Sequence, residues 1–156
     1  MIVSDAGPLI VLLKINQLQI LEELFGKIVV PVAVHKEITA KKQEMMAFDK
    51  VEWIETRKVK NLKANTLLEK LIGKGEAEAI MLAQELKTAL LIDDAKARKY
   101  AGLLNVKVIG TLGLLKMAKN RGLVPSVKRV IDDMLAQGYY VDERLKTTIL
   151  EDVGES

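Results

Sequence analysis

The chain has 156 residues, of which 49% are apolar and 29% are charged, and this balance predicts one domain, residues 1–156, with a hydrophobic core. It contains no cysteine and a single histidine, His35, which excludes disulfides, thiol nucleophiles, thiolate-bound clusters and multi-histidine metal sites. The formal net charge of +3 permits a polyanionic partner without requiring one, and the aromatic content of 4% argues against a surface that stacks several bases.

The apolar runs of the sequence are short. Residues 8–13, for example, are far too few to cross a bilayer. The first residues carry neither a basic region nor the small-residue cleavage site of a signal peptide. We therefore predict a cytoplasmic protein with no membrane partner.

Short apolar segments alternate with amphipathic segments along the chain. The apolar segments predict strands at residues 2–3, 28–30, 89–92 and 106–109, and residues 51–54 are a candidate for a short edge strand. Apolar residues at helical spacing fill the intervals, with Pro8 in a first helical turn and Gly26 as a stop signal. Residues 41–50 are mostly polar, and we interpret them as a loop or a frayed helix end.

The pattern of the strands indicates the fold class. Short strands that are apolar throughout and separated by helices are typical of a parallel sheet covered on both faces. We therefore predict an α/β fold, a three-layer α/β/α sandwich with a central parallel sheet of about four strands.

Acidic residues follow the predicted strands. Asp5 comes directly after the first strand, and Asp93 and Asp94 come directly after the third. Glu76 lies in a first helical turn after a Gly-x-Gly segment, and Glu37 lies about two turns into the helix that leaves the second strand. Parallel sheets bind ligands outside the carboxyl ends of their strands, so these acids converge on one edge if the strands are neighbours.

Carboxylates that converge repel one another, and a hard divalent cation compensates for this repulsion. Ligation by oxygen atoms alone favours Mg²⁺ or Mn²⁺ as the metal. Such a site activates water and stabilises the charge that develops on a phosphate, which is the chemistry of metal-assisted phosphodiester hydrolysis.

Each acid also has a simpler interpretation. Asp5 or Asp94 could cap the following helix, and Glu76 could interact with the dipole of its own helix. Glu37 could lie on a solvated face. Glu78 lies on a different helix face from Glu76, and we expect it to be exposed to solvent.

Three further residues are close in sequence to these acids. His35 lies about 200° around the helix from Glu37, which predicts a surface histidine rather than a ligand. Asp93 is expected to point away from its neighbour Asp94. Arg98, one helical turn after Asp94, either contacts a phosphate in the cleft or is an ordinary surface arginine.

Five segments in this order resemble the PIN domain nucleases (PilT N-terminus), in particular small prokaryotic members of similar length. The segments are residues 2–10, residues 29–31 with 34–38, residues 73–79, residues 90–94 with 97–98, and residues 108–113 with 118–119 and 122–123. The resemblance covers nearly the whole chain, and the order and separation of the segments are more specific than any one of them.

The resemblance implies a set of acidic metal ligands and a function. Asp5, Glu37 and Glu76 match three acids of the family, and the fourth falls at Asp94, although the adjacent Asp93 leaves the choice of ligand open. The implied activity is RNA cleavage with Mg²⁺ or Mn²⁺. Many members are toxins of toxin–antitoxin pairs and many are dimers, which implies RNA, an antitoxin protein and a second copy of the chain as partners. The alternative is a PIN fold that binds RNA or protein with weak or no catalysis.

Overall fold

The computed structural model of the protein describes residues 1–40, 48 and 50–155, and its centre is a five-stranded sheet in which every pair of neighbouring strands is parallel. The strands are β1 (Ile2–Ser4), β2 (Ile28–Pro31), β3 (Ile54–Arg57), β4 (Leu90–Leu91) and β5 (Val108–Ile109), in the spatial order β3-β2-β1-β4-β5.

Nine helices flank this sheet in the described part of the chain. They are α1 (Ala6–Lys14), α2 (Gln19–Phe25), α3 (Val32–Thr39), α4 (Leu62–Glu69), α5 (Lys74–Leu86), α6 (Ala95–Leu103), α7 (Thr111–Asn120), α8 (Val127–Ala136) and α9 (Glu143–Asp152). The predicted α/β class with a central parallel sheet is confirmed. None of these helices has the length and hydrophobicity needed to span a membrane.

The sheet has five strands, where about four were expected, because the candidate edge strand is formed. It runs over Ile54–Arg57 instead of residues 51–54 and pairs with β2 from Ile28 to Pro31. The polar residues Glu55 and Arg57 lie within β3, so the strand lacks the continuous apolar character of the buried ones. The loop or frayed helix end predicted for residues 41–50 falls outside the described residues, apart from the buried Phe48 and the exposed Lys50.

The core forms on the inner strands and on the helices that pack against them. All residues of β1, β2 and β4 are buried, which explains their apolar character on both faces. Helix α5 has a continuous buried stretch from Ala79 to Ala83 and packs against α3, β1 and β2. This packing fixes where α5 begins relative to the sheet edge.

The strand order determines where a ligand can bind. Strand β1 lies between β2 and β4, with Val3 opposite both Val29 and Leu90. The chain moves from β1 to β2 on one side and later returns to β4 on the other, which makes the carboxyl end of β1 a topological switch point. The residues that follow β1, β2 and β4 are therefore brought to one edge of the sheet.

Candidate metal centre

Asp5 lies at the switch point and is one of the few buried polar residues of the protein. It follows β1 directly, its backbone N–H donates to the Leu91 carbonyl at 2.9 Å, and only 9% of the residue is exposed. It occupies the N-cap position of α1, yet its side chain makes no capping hydrogen bond to that helix. Capping therefore does not account for a carboxyl group in this buried position.

The electrostatic environment of Asp5 is set by burial and by other acids. The pKa of the Asp5 carboxyl is raised from 3.8 to about 7, mainly by burial and against the opposing effect of the Ala6 backbone amide. The negative charges of Glu76, Glu37 and Asp94 raise this pKa as well. The structure thus brings together four of the acids selected from the sequence closely enough for their charges to interact.

Glu37 reaches this cluster across a glycine of α5. Its Oε1 lies 3.0 Å from the position that a Cβ atom would take on Gly75, and Oδ1 of Asp5 lies 3.8 Å from the same position. Gly75 is buried in the first turn of α5, where the helix packs against α3. Glu37 as a residue is exposed, but its carboxylate lies at the acid cluster rather than on a separate solvated face.

Glu76 and Asp94 each hold the start of a helix while they contribute charge to the cluster. Oε2 of Glu76 accepts a hydrogen bond of 2.7 Å from the backbone N–H of Gly73, and Oδ1 of Asp94 accepts one of 2.8 Å from Ala97. The capping alternative for Asp94 and the helix-terminus alternative for Glu76 therefore hold. They coexist with the interaction with Asp5.

Asp93 has a different environment from Asp94. Its Oδ1 accepts a hydrogen bond of 2.7 Å from the Thr111 backbone N–H, and its Oδ2 accepts one of 2.6 Å from the Thr111 hydroxyl. Both carboxylate oxygens are thereby directed to the start of α7. Asp93 is also not among the charges that shift the pKa of Asp5.

Two nearby residues are not among the charges that shift the pKa of Asp5. Glu78 was expected to be exposed to solvent, but it is half-buried. The reason is that its Oε1 accepts a hydrogen bond of 3.0 Å from the Ala33 backbone N–H, which joins α5 to the start of α3. His35 is half-buried beside a cavity that is lined by Phe48 and Ile54 and by none of the acids.

The donor set of the cluster fits a hard divalent cation. It offers carboxylate oxygens only, and the charges of the three other acids contribute to the raised pKa of Asp5, a repulsion that a cation would relieve. Among the described residues, no three acidic or histidine side chains already surround one point as ligands would. Glu76 and Asp94 each give one oxygen to a backbone amide, so their second oxygens are the ones available to an ion.

Sequence reasoning did not identify Gly75 as part of this site. The residue was seen only as one end of a Gly-x-Gly segment, whereas its function is to leave room between Glu37 and Asp5. The available signal was a glycine in the first turn of a predicted helix, where it lowers helix stability unless close approach requires it.

The chain is similar to known proteins in both sequence and fold. The model of the DUF3368 family, described as a PIN domain, matches residues 1–155. No curated protein matches the chain significantly. A solved structure of a PilT N-terminus domain protein from the hyperthermophilic archaeon Sulfolobus solfataricus is similar, with a TM-score of 0.52 and 20% identity.

That similarity covers 76% of this chain and 93% of the archaeal one, and at this level of identity it concerns the fold alone. The family match spans almost the entire sequence and includes every acid of the cluster. PIN domains are generally nucleases that depend on divalent metal ions. The chain belongs to the DUF3368 family of PIN domains.

Proposed function

We propose that the protein is a ribonuclease that hydrolyses RNA phosphodiester bonds with Mg²⁺ or Mn²⁺. The observation that carries the proposal is the buried Asp5 carboxyl, whose pKa is raised by burial and by three further acids at the same sheet edge. Burying a carboxyl group beside other negative charges is costly, and structures retain such an arrangement mainly where it has a function. The choice of RNA as substrate rests on the resemblance to PIN nucleases.

Asp5, Glu37, Glu76 and Asp94 are the proposed metal ligands. Asp93, whose oxygens are engaged by Thr111, is proposed to position the adjacent Asp94 rather than to bind the ion itself. A bound ion would supply activation of water and neutralisation of the charge on the phosphate. Asp5 would form the buried floor of the site.

Two lysines beside the cluster can attract the RNA backbone. Lys36 and Lys74 line a cavity of about 260 Å³ together with Glu37 and Gly75, between the start of α5 and helix α3. Cations in this position would contact phosphates next to the acids and would make RNA binding dependent on salt. The acids themselves repel the backbone until a metal ion neutralises them.

The test is cleavage of a mixed pool of single-stranded RNA by the wild-type protein and by Asp5→Asn, with Mn²⁺, Mg²⁺ or EDTA. Cleavage that needs the metal and is lost in the variant is the expected result. Equal cleavage by both proteins would indicate a contaminating nuclease. Binding of the RNA without cleavage would support the alternative, a PIN fold that acts as a binding module.

A toxin role, an antitoxin partner and a homodimer belong to the same proposal, and the resemblance supports them. Expression of the wild-type chain in a bacterial host is expected to arrest growth, whereas Asp5→Asn is expected to be tolerated. Light scattering is expected to give twice the mass of the 17.3 kDa chain. Normal growth with active wild-type enzyme would contradict the toxin role.

A further inference from the structure

A cavity of about 700 Å³ begins one residue from the acid cluster. Asp93 lines it, and Asp93 directly precedes the proposed ligand Asp94 in the chain. Other lining residues are Arg98, Gly110, Thr111, Met117, Tyr139 and Tyr140. We call this space the Arg98 cavity.

Arg98 extends over Gly110 at this cavity. Its Nη1 lies 2.6 Å from the position that a Cβ atom would take on Gly110, and Oδ1 of Asp93 lies 3.0 Å from the same position. The glycine therefore leaves the space in which the guanidinium lies. Any side chain at residue 110 would displace it.

The guanidinium of Arg98 is a half-buried cation without a carboxylate partner among the described residues. The nearby Asp93 forms no ion pair with it, and both Asp93 oxygens accept hydrogen bonds from Thr111. Those hydrogen bonds also direct the Asp93 charge to the start of α7, where it is favourable. An arginine held in this way is suited to binding a phosphate.

The rest of the Arg98 cavity offers an apolar and aromatic surface. Met117 and Tyr139 line it, and Tyr140, which also lines it, is 87% exposed. An exposed tyrosine at the edge of an apolar cavity can stack on a base while its hydroxyl stays in water.

We propose that the Arg98 cavity is a nucleotide subsite, in which Arg98 binds an RNA phosphate next to the scissile one and the attached base packs beside Tyr140. The subsite rests on the proposed RNA function of the acid cluster. It supplies a cation and a stacking surface on the β4–β5 side of that cluster, whereas Lys36 and Lys74 lie on the α3 side. An RNA strand would then cross the sheet edge from one side of the acids to the other.

Binding is measured first, with a fluorescent single-stranded RNA of mixed sequence, in Mg²⁺ and in an Asp5→Asn background that prevents cleavage. Arg98→Ala is expected to weaken binding about tenfold and to lower the slope of log affinity against log salt by about 1. Arg98→Lys should restore most of the salt dependence. The exposed Arg121→Ala, which does not line the cavity, is the matched control, and equal affinities of Arg98→Ala and Arg121→Ala would overturn the proposal.

A second pair of variants keeps Arg98 and displaces its guanidinium, while the added methyl group also comes close to Oδ1 of Asp93. Gly110→Ala places a methyl group where the guanidinium lies, and the backbone at φ −90° and ψ 170° accepts alanine. We expect it to weaken RNA binding as Arg98→Ala does, with no further loss in the double variant. Gly102→Ala on α6, where an added Cβ meets nothing within 4 Å, is the control. Thermal denaturation is used to check that both alanine variants are folded. Equal RNA affinities of Gly110→Ala and Gly102→Ala would then contradict the role of Gly110.

Tyr140 is tested by two substitutions. Tyr140→Ala is expected to weaken RNA binding about fivefold or more, and Tyr140→Phe, which retains the ring, should bind as the parent does. Unchanged affinity in Tyr140→Ala would remove the base contact from the proposal.

The subsite and the nuclease activity can fail separately. If the wild-type protein cleaves no RNA but Arg98→Ala still weakens binding, the subsite stands and the catalytic proposal falls. If cleavage depends on metal and on Asp5 while Arg98→Ala leaves binding and kcat/KM unchanged, the catalytic proposal stands and the subsite falls.

Discussion

Glu37 on α3 lies close against Gly75 on α5, with its Oε1 3.0 Å from where a Cβ atom of Gly75 would be. Real Cβ contacts are rarely this tight, so a side chain at residue 75 would have to move the carboxylate. Asp5 lies just beyond, with Oδ1 at 3.8 Å from the same position. The glycine thus sets the distance between two proposed ligands.

Gly75→Ala is therefore expected to reduce metal-dependent RNA cleavage by about tenfold to a hundredfold, because small displacements of catalytic groups have effects of this size. The thermal stability should change little, since the better helix propensity of alanine, about 1 kcal/mol, offsets the crowding. Cleavage rates and melting temperatures of Gly75→Ala and of the control Gly102→Ala provide the measurement. Wild-type cleavage by Gly75→Ala would show that the position of Glu37 is unimportant.

Asp5→Asn is expected to stabilise the protein at neutral pH in metal-free buffer. The folded-state pKa of about 7 lies above the ordinary 3.8, so between these values the folded protein binds a proton that the unfolded chain releases. Stability from this group is therefore present at low pH and lost as the pH rises towards 7. The free energy of unfolding falls by roughly 4 kcal/mol at most over this range, and an asparagine at residue 5 avoids this loss because it does not ionise.

Urea unfolding in EDTA at pH 5 and pH 8 measures this effect. The wild-type protein should lose free energy of unfolding between the two values relative to Asp5→Asn, and the variant should be the more stable of the two at pH 8. Asp132→Asn, an exposed acid on α8, is the control and should follow the wild type. If Asp5→Asn is less stable than the wild-type protein at pH 8, the ionised Asp5 carboxylate is not a source of instability in the metal-free protein.

Metal binding should displace a proton from the same carboxyl group. Because the pKa of Asp5 is about 7, the group is largely protonated at pH 6, and a cation must displace that proton to bind. Calorimetric titration with Mn²⁺ in buffers of different ionisation enthalpy should give about one proton released at pH 6 and almost none at pH 8.5. Proton release that does not change with pH would disagree with the raised pKa.

The sequence was sufficient to predict the parallel α/β sheet, because β1, β2 and β4 are buried on both faces and are apolar apart from Ser4. The exact position of β3 could not be predicted in this way. Its Glu55 and Arg57 are polar, and it is a strand because Ile54 continues the sheet beside Ile28. Pairing between distant segments determined this edge, and local pattern carries little information about it.

The acid cluster was predictable to the extent that it depends on strand ends. Asp5 and Asp94 follow neighbouring strands, and their approach needs only the order of the sheet. The approach of Glu37 depends on the packing of α3 against α5, which involves residues some forty positions apart. The difference between Asp93 and Asp94 depends on Thr111, far along the chain, and no local signal distinguishes the two.

Glu76→Gln separates the helix-terminal role of Glu76 from its charge. The amide oxygen of glutamine can still accept the hydrogen bond from the Gly73 backbone N–H, but the negative charge beside Asp5 is removed. We expect the metal-free protein to remain as stable as the wild type, or more so at pH 8, because one repulsive charge is lost. Affinity for Mn²⁺ should fall by at least about tenfold, because a charged ligand is replaced by a neutral one.

Glu78→Gln is the matched control for this experiment. Glu78 lies two residues further along α5, holds the start of α3 through the Ala33 backbone N–H, and is not among the charges that act on Asp5. Its variant should keep the Mn²⁺ affinity of the wild type when both are measured by calorimetry at pH 8. If both variants lose Mn²⁺ affinity equally, the loss comes from the lower negative charge of α5 as a whole and not from a ligand at Glu76. If only Glu76→Gln loses affinity, Glu76 acts as a ligand in addition to its bond to the helix start.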